Sequence, residues 1–233
     1  MRRHRLRHPA GNGTRFVVKS NNTLSGATAA SQLIAVQSGY AARGITLGQA
    51  ALCGARDFAE WVHYPAHDCT DPDTGCEFYY HAHDRGEMLA EEHGHFHVFQ
   101  RHTGKPDRFF HVIGISLDFR GLPINLFTTN AWVTGESMAP APKVAKAARQ
   151  FCVRARGRMA PIARWLTALL AIYAAEIAEL AHQRDHKLNR LGHSGRTRKD
   201  ILQDRRVRVL SQRRIHLLAH LNSYCPPQGE LAS

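Results

Sequence analysis

Acidic residues are absent from the first 56 positions of this 233-residue chain, although the same positions hold eight lysines and arginines. The first 30 residues are rich in arginine, glycine, asparagine, serine and threonine, and they show no apolar periodicity. Segments of this composition bury too little apolar surface to order themselves. The sequence therefore predicts a disordered basic arm over residues 1–40, with an organelle transit peptide or a weak secretory signal as alternatives.

Long apolar runs are missing as well. The longest, WLTALLAIYAA at residues 165–175, has 11 residues and suits a buried helix better than a membrane span. The five cysteines form no CxxC pair, which predicts reduced and inert thiols, with a Cys69–Cys76 disulfide as the alternative in an oxidising compartment. These absences exclude a single-helix membrane anchor of ordinary length and predict a cytoplasmic protein without a membrane partner.

Several common catalytic signatures do not occur. The chain has no GxSxG nucleophile elbow, no glycine-rich phosphate loop in a strand-to-helix context, and no cysteine in a protease-like setting. The sequence thus gives no sign of an α/β-hydrolase, a P-loop nucleotide-binding protein or a cysteine protease.

Acidic and basic residues are distributed unevenly along the chain. Residues 57–139 hold 13 acids and 5 bases, whereas residues 140–233 hold 18 bases and 6 acids. After the basic arm, this division predicts a histidine-rich β domain with a leading helix at 41–138. A basic helical region packed on it at 139–225 and a tail at 226–233 complete the predicted organisation.

Periodicity predicts an α+β fold. Four aromatic and β-branched segments read as strands: EFYYHAH (77–83), HGHFHVFQR (93–101), RFFHVIGISLDF (108–119) and PINLFTTN (123–130). From residue 140 onward, apolar residues recur every three to four positions, and three segments read as helices: 143–156, 162–188 and 200–221. We expect a small antiparallel sheet or barrel of about four strands, followed by two to three α-helices.

Histidines are concentrated within the first two of these strands. Because residues two apart on a strand share a face, the histidines of each strand should project together. Imidazole is a common ligand of zinc and iron, so the sequence predicts a transition-metal site for one of these two ions. The alternatives are a solvated polar face and a pH-sensing cluster. The predicted ligands are His81, His83, His93, His95 and His97.

Other residues near the cluster are candidates for supporting roles. Glu87 and Glu92 are candidate catalytic residues, each as a fourth ligand or a general base. His111 on the third strand is a candidate sixth member, and His63 and His67 are accessory candidates.

Two resemblances extend this interpretation. Gly75, His81, His83, Glu87 and Gly94 have the spacing of the first metal-binding motif of the cupins, and this resemblance implies a jelly-roll barrel with the two histidines and the glutamate as ligands. The second cupin motif is missing. The motifs WVHYP (61–65), YYHAH (79–83), EHGHFHVF (92–99) and LFTTNAWVTGE (126–136) together resemble a family of uncharacterised bacterial proteins with a domain of unknown function. That resemblance implies no established activity.

Two functions remain open at this point. The first is a metal-dependent enzyme that activates water or dioxygen against an unknown small molecule, with Trp132 near the pocket mouth. The second is a non-catalytic metal-binding or sensing module whose basic helices contact a partner or nucleic acid through Arg205, Arg206 and Arg208.

Overall fold

The structure is a computed structural model, and it describes residues 24–193 and 195–224. These residues form an α+β fold around one antiparallel sheet of six strands, arranged in the order β1-β2-β3-β4-β5-β6. The strands are β1 (Tyr64–Thr70), β2 (Cys76–His81), β3 (Glu92–His102), β4 (Lys105–Asp118), β5 (Pro123–Thr129) and β6 (Val209–Arg214). The sheet is open, which corrects the expected four-strand sheet or barrel and leaves the cupin-like alternative without support.

The described helices are of very different lengths. The long ones are α1 (Gly26–Ala41), α4 (Ala141–Gln150), α5 (Met159–Ile172) and α6 (Ala174–Gly192). The short ones are α2 (Leu47–Ala51), α3 (Ala131–Thr134), α7 (Arg198–Leu202) and α8 (Leu217–Asn222), and a single 3-10 turn covers Arg85–Glu87.

Helix α1 lies inside the segment that we predicted to be a disordered arm. Ser25 caps its N-terminus by accepting a hydrogen bond from the backbone N of Thr28. Its buried residues Leu33, Val36 and Tyr40 recur at helical spacing and belong to the main hydrophobic core. The disorder prediction is therefore corrected for residues 26–40, while its first 23 residues and the predicted tail at 226–233 lie outside the described residues.

Strand β6 corrects the prediction of a continuous helix at 200–221. This segment divides into α7, β6 and α8, and β6 pairs antiparallel with β5. The Oγ atoms of Thr128 and Ser211 are 2.6 Å apart, and the Ser211 hydroxyl donates to the carbonyl of Leu180 on α6. The predicted helical region thus supplies a strand to the sheet, so the predicted boundary at 138/139 does not separate strands from helices.

The two faces of the sheet differ in chemistry. One face packs on the helices and carries aromatic and aliphatic side chains, among them Phe78, Phe96 and Ile115. The ring centroid of Phe96 lies 6.1 Å from that of Trp165 on α5. The opposite face carries the histidines. The helical layer therefore supports the sheet from behind and leaves the histidine face available for a site.

Helices α5 and α6 follow one another with a sharp bend at Tyr173. They meet at 72°, and together they reach the length and apolarity of a membrane span. Within the described residues, no single helix does so. Ten residues of α5 are buried, which is what its apolar run predicted for a core helix.

Candidate metal centre

Four histidines converge on the face of the sheet opposite the helical layer. His81 ends β2 and His83 follows it, while His95 and His97 lie on β3, where His95 is the register partner of His81. One nitrogen atom from each imidazole can be chosen so that all four lie within 4.8 Å of one another, and all four residues are buried. The prediction that these strands bring their histidines together is correct for these four residues.

The spacing of the ring nitrogens suits a metal ion. Two nitrogens bound to one tetrahedral zinc at 2.0–2.1 Å would be about 3.3 Å apart. The Nε2 atoms of His81 and His95 are 2.9 Å apart, slightly closer than that. Small rotations of the rings would place the four nitrogens around a common centre. All four donors are imidazoles, a ligand type that suits zinc, copper, iron and nickel.

Two of the four rings are held from behind by other side chains. Glu92 Oε1 lies 2.5 Å from His95 Nδ1, and both residues are buried. His111 Nε2 lies 3.0 Å from His97 Nδ1, and Thr129 Oγ1 lies 3.3 Å from the other nitrogen of His111. Each contact occupies Nδ1, and Nε2 of His95 faces Nε2 of His81. This is the usual arrangement behind metal-binding histidines, because an outer partner fixes the ring and its tautomer.

Burial keeps the side chains of His97 and His111 neutral. Burial lowers the pKa of His97 well below its usual value, and the neighbouring His111 and His95 lower it further. Burial, with Arg184 nearby, lowers the pKa of His111 to about 3. Both imidazoles are therefore uncharged at neutral pH, which is the form that binds metal and passes on a hydrogen bond.

His93 does not join the group, and a β-bulge explains why. The β3–β4 register shifts between Glu92 and Gly94, so two residues of β3 occupy the space of one. His93 consequently turns to the helical side, where its Nδ1 lies 2.7 Å from the Tyr80 hydroxyl and its ring stacks on Phe58 at 4.8 Å. The expectation that His93 shares a face with His95 and His97 is corrected by this placement.

The bulge has a second effect on the strand. It brings Glu92, rather than His93, onto the same face as His95. It also requires glycine at position 94, because a Cβ there would lie 2.7 Å from both the His81 carbonyl oxygen and the Tyr80 hydroxyl. The contact between Glu92 and His95 therefore depends on a local irregularity of the strand.

The remaining predicted residues occupy three different positions. Glu87 is partly exposed and accepts a hydrogen bond of 2.7 Å from Arg208. His63 lies beside the group, with its ring centroid 5.5 Å from that of His81, and its Nδ1 is 3.0 Å from Asp68 Oδ1. His67 is exposed on β1.

A pocket of about 210 Å³ opens directly in front of the histidines. Phe127 forms part of its wall, with its ring centroid 5.3 Å from His95 and 5.7 Å from His97. The ring fits there because its register partner is Gly114, where any side chain would collide with it. The pocket makes the centre accessible to a small molecule.

The pocket also contains polar residues that sequence reasoning missed. Ser116 and Asn125 both line it, and they are only 1% and 3% exposed. Their positions could have been noticed as polar residues facing the same way as the histidines within otherwise apolar strands. No histidine or acidic residue of the predicted site stands next to them in the sequence. Their alignment with the four histidines depends on the register of β4 and β5, which the sequence does not show.

The arginines considered for nucleic-acid contact make ion pairs and ring contacts, although Arg205 and Arg206 are exposed. Arg206 pairs with Asp204, and Arg208 pairs with Glu87. The guanidinium carbon of Arg208 also lies 5.9 Å and 5.3 Å from the ring centroids of Trp61 and Trp132, respectively. Arg205 lies 5.8 Å from Trp132. Contact of this segment with a partner or nucleic acid stays a prediction.

Comparisons with known proteins add the family. Searches among curated proteins and among solved structures gave no match. The family model described as "Domain of unknown function (DUF6969)" matches residues 27–215, which include the six strands and the four histidines. Because this match covers most of the chain, the protein belongs to the DUF6969 family.

Proposed function

We propose that this domain binds one transition-metal ion through His81, His83, His95 and His97 and uses it as a catalytic centre for a small molecule. The observation that carries the proposal is the convergence of four buried imidazoles, two of them fixed from behind by Glu92 and His111. Four histidines packed together without a cation would gain little from their mutual contacts. A metal ion turns the same arrangement into a stable one.

The pocket favours a catalytic role over a purely structural one. His83, His95 and His97 all line it, so the centre faces a cavity instead of the packed core. Structural zinc sites are closed by four protein ligands, whereas catalytic centres keep a position for water or substrate. Four histidines close a tetrahedral zinc ion but leave two positions on a six-coordinate ion. This favours iron over zinc, with activation of water or dioxygen as the chemistry supplied.

The two glutamates take different roles in this proposal. Glu92 is buried against His95, so it serves as a positioning residue that orients the ring and adds a negative charge behind it. Glu87 lines the pocket but pairs with Arg208, and it would act as a general base only after leaving that arginine. A substrate that displaces the Glu87–Arg208 pair would provide that opportunity.

Elemental analysis of protein purified without a histidine tag tests the proposal. We expect about one iron or zinc ion per chain in the wild type and a loss of most of it in His81→Ala and His95→Ala. His67→Ala is the matched control, because His67 is exposed on a strand next to the site and should leave the metal content unchanged.

Two results would contradict the proposal. Wild-type protein that neither contains nor takes up a transition metal would remove its basis. Equal metal loss in His67→Ala and His95→Ala would show that the ion is bound non-specifically on the surface. A tightly bound zinc ion that no added ligand perturbs would favour the non-catalytic metal-binding module.

A further inference from the structure

The floor of the pocket contains two buried polar groups with unmet hydrogen-bonding capacity. Ser116 Oγ and Asn125 Oδ1 have no hydrogen-bond partner within the described part of the chain. Buried polar atoms are almost always paired, so two such atoms in one pocket point to a ligand or solvent that pairs with them. A carbonyl oxygen and a hydroxyl together suit a hydroxyl or amide group that can donate a hydrogen bond.

The sheet register places these groups in line with the metal centre. His81, His95, Ser116, Asn125 and Arg214 are successive partners across β2, β3, β4, β5 and β6. Neighbouring strands are about 4.8 Å apart, so Ser116 is about one strand spacing and Asn125 about two from His95. A molecule of a few bonds in length can therefore reach from the centre to both groups.

Charge indicates what would bind at the metal end. Imidazole ligands carry no charge, so a divalent cation bound by four of them would keep its two positive charges, of which the Glu92 carboxylate behind His95 offsets one. A buried centre with excess positive charge favours an anionic ligand. A carboxylate is a small anion that can both coordinate the ion and bring a longer molecule into the pocket.

The volume and the lining residues of the pocket limit the part of the ligand that lies beyond the carboxylate. A volume of about 210 Å³ corresponds to roughly seven water molecules at their share of liquid volume. Phe127 and Leu89 contribute apolar wall between the polar floor and the opening. The pocket therefore suits a short carbon chain.

We infer that the pocket binds a small hydroxylated or amide-bearing carboxylic acid, with the carboxylate at the four-histidine centre and the hydrogen-bond donor at Ser116 and Asn125. This inference rests on the proposed metal site and names its substrate class. Ser116 and Asn125 are then the residues that determine specificity, and they take no part in holding the metal.

A cobalt-substituted protein and a matched pair of carboxylates test the inference. Butyrate and 3-hydroxypropionate have the same charge and nearly the same shape, and they differ in one terminal methyl or hydroxyl group. Visible absorption of Co(II) first reports whether the histidines bind the ion, and then whether an added carboxylate enters its coordination shell. We expect both acids to change the spectrum, with 3-hydroxypropionate binding about tenfold tighter than butyrate.

Variants identify which side chains produce that preference. Ser116→Ala and Asn125→Leu should each reduce the preference by about threefold or more, while the cobalt spectrum without added acid stays unchanged. Ser38→Ala, at an exposed position on α1, should keep the wild-type preference. Loss of folding in Asn125→Leu would leave Ser116→Ala to decide the matter.

The possible failures are distinct. If cobalt does not bind, the metal centre and the inference both fall. If cobalt binds but neither acid changes its spectrum, the metal centre stands and the carboxylate assignment is wrong. If both acids bind equally, or if the preference survives in both variants, Ser116 and Asn125 do not recognise the ligand and the inference is overturned.

Discussion

Individual side chains around the four histidines have separable tasks. The four rings supply nitrogen, whereas Glu92 and His111 contact the far side of two of them. Composition and alternation predicted His81, His83, His93, His95 and His97 as a group, and all of these except His93 converge. They could not reveal that Glu92 lies behind His95, because that contact depends on the bulge.

Replacing Glu92 should weaken the metal centre without removing a ligand. We expect Glu92→Gln to lower metal affinity by about 10–100-fold, because the charge that orients and polarises His95 is lost. Competition against a chromogenic chelator would measure the change.

The neighbouring glutamate provides the matched control. Glu91 is partly exposed and pairs with Arg214 at the surface, so Glu91→Gln should keep the wild-type affinity. Equal losses in the two variants would indicate a general electrostatic effect and would contradict a positioning role for Glu92.

At the level of strands and helices, the sequence predicts some elements well and others poorly. The four aromatic segments became β2 to β5, because their β-branched and aromatic residues suit a sheet that is buried on both faces. Strand β6 was missed because the apolar residues of DRRVRVLSQRR, which are two valines and one leucine, were read together with the following Ile215 and Leu217 as one face of a helix. Its stability as a strand comes from pairing with β5, about 80 residues earlier in the sequence, and a local pattern cannot show such a partner.

Helix α1 was missed for a different reason. Its composition is dominated by alanine, serine and glycine, which also characterise disordered segments. The signal was present in Ser25 as an N-cap and in the spacing of Leu33, Val36 and Tyr40. Its alanines favour a helix, and its packing against α5 buries the apolar side of that helix.

The bulge in β3 allows an unusual test of strand register. Deleting His93 should restore regular pairing, with Glu92 and His95 still on the same face, because the deletion removes the extra residue of the bulge. We expect the deletion variant to lose some stability through its lost packing against Phe58, yet to retain about one metal ion per chain. Metal analysis and thermal unfolding would measure both effects.

An insertion is the complementary control. One alanine placed between Phe96 and His97 would turn His97 to the helical face and should abolish metal binding. A folded His93 deletion that binds no metal would show that the bulge itself is needed for the site, contrary to this account.

For the whole molecule, metal binding at the proposed site would make the free energy of unfolding depend on the concentration of free metal ion. The four histidines lie on β2 and β3 or just after β2, and both strands are interior strands of the six-stranded sheet, so an ion bound there would stabilise the folded state alone. With free metal at about one hundred times the dissociation constant, the gain is about 2.7 kcal/mol.

Thermal unfolding with and without metal measures this gain. For a chain of this size, we expect chelation to lower Tm by about 5–10 °C. His95→Ala should unfold at the same temperature in metal and in chelator. A chelator effect of equal size in His95→Ala would place the stabilising ion elsewhere.

The four ligands also lie close together in the sequence, within the hairpin formed by β2 and β3 between residues 81 and 97. Local pairings form faster than pairings between distant segments, and the β5–β6 pair joins residues 129 and 209. During synthesis, the hairpin leaves the ribosome long before β6 exists. Metal binding by this hairpin, as proposed above, would therefore come before the pocket walls that β5 and β6 contribute are added.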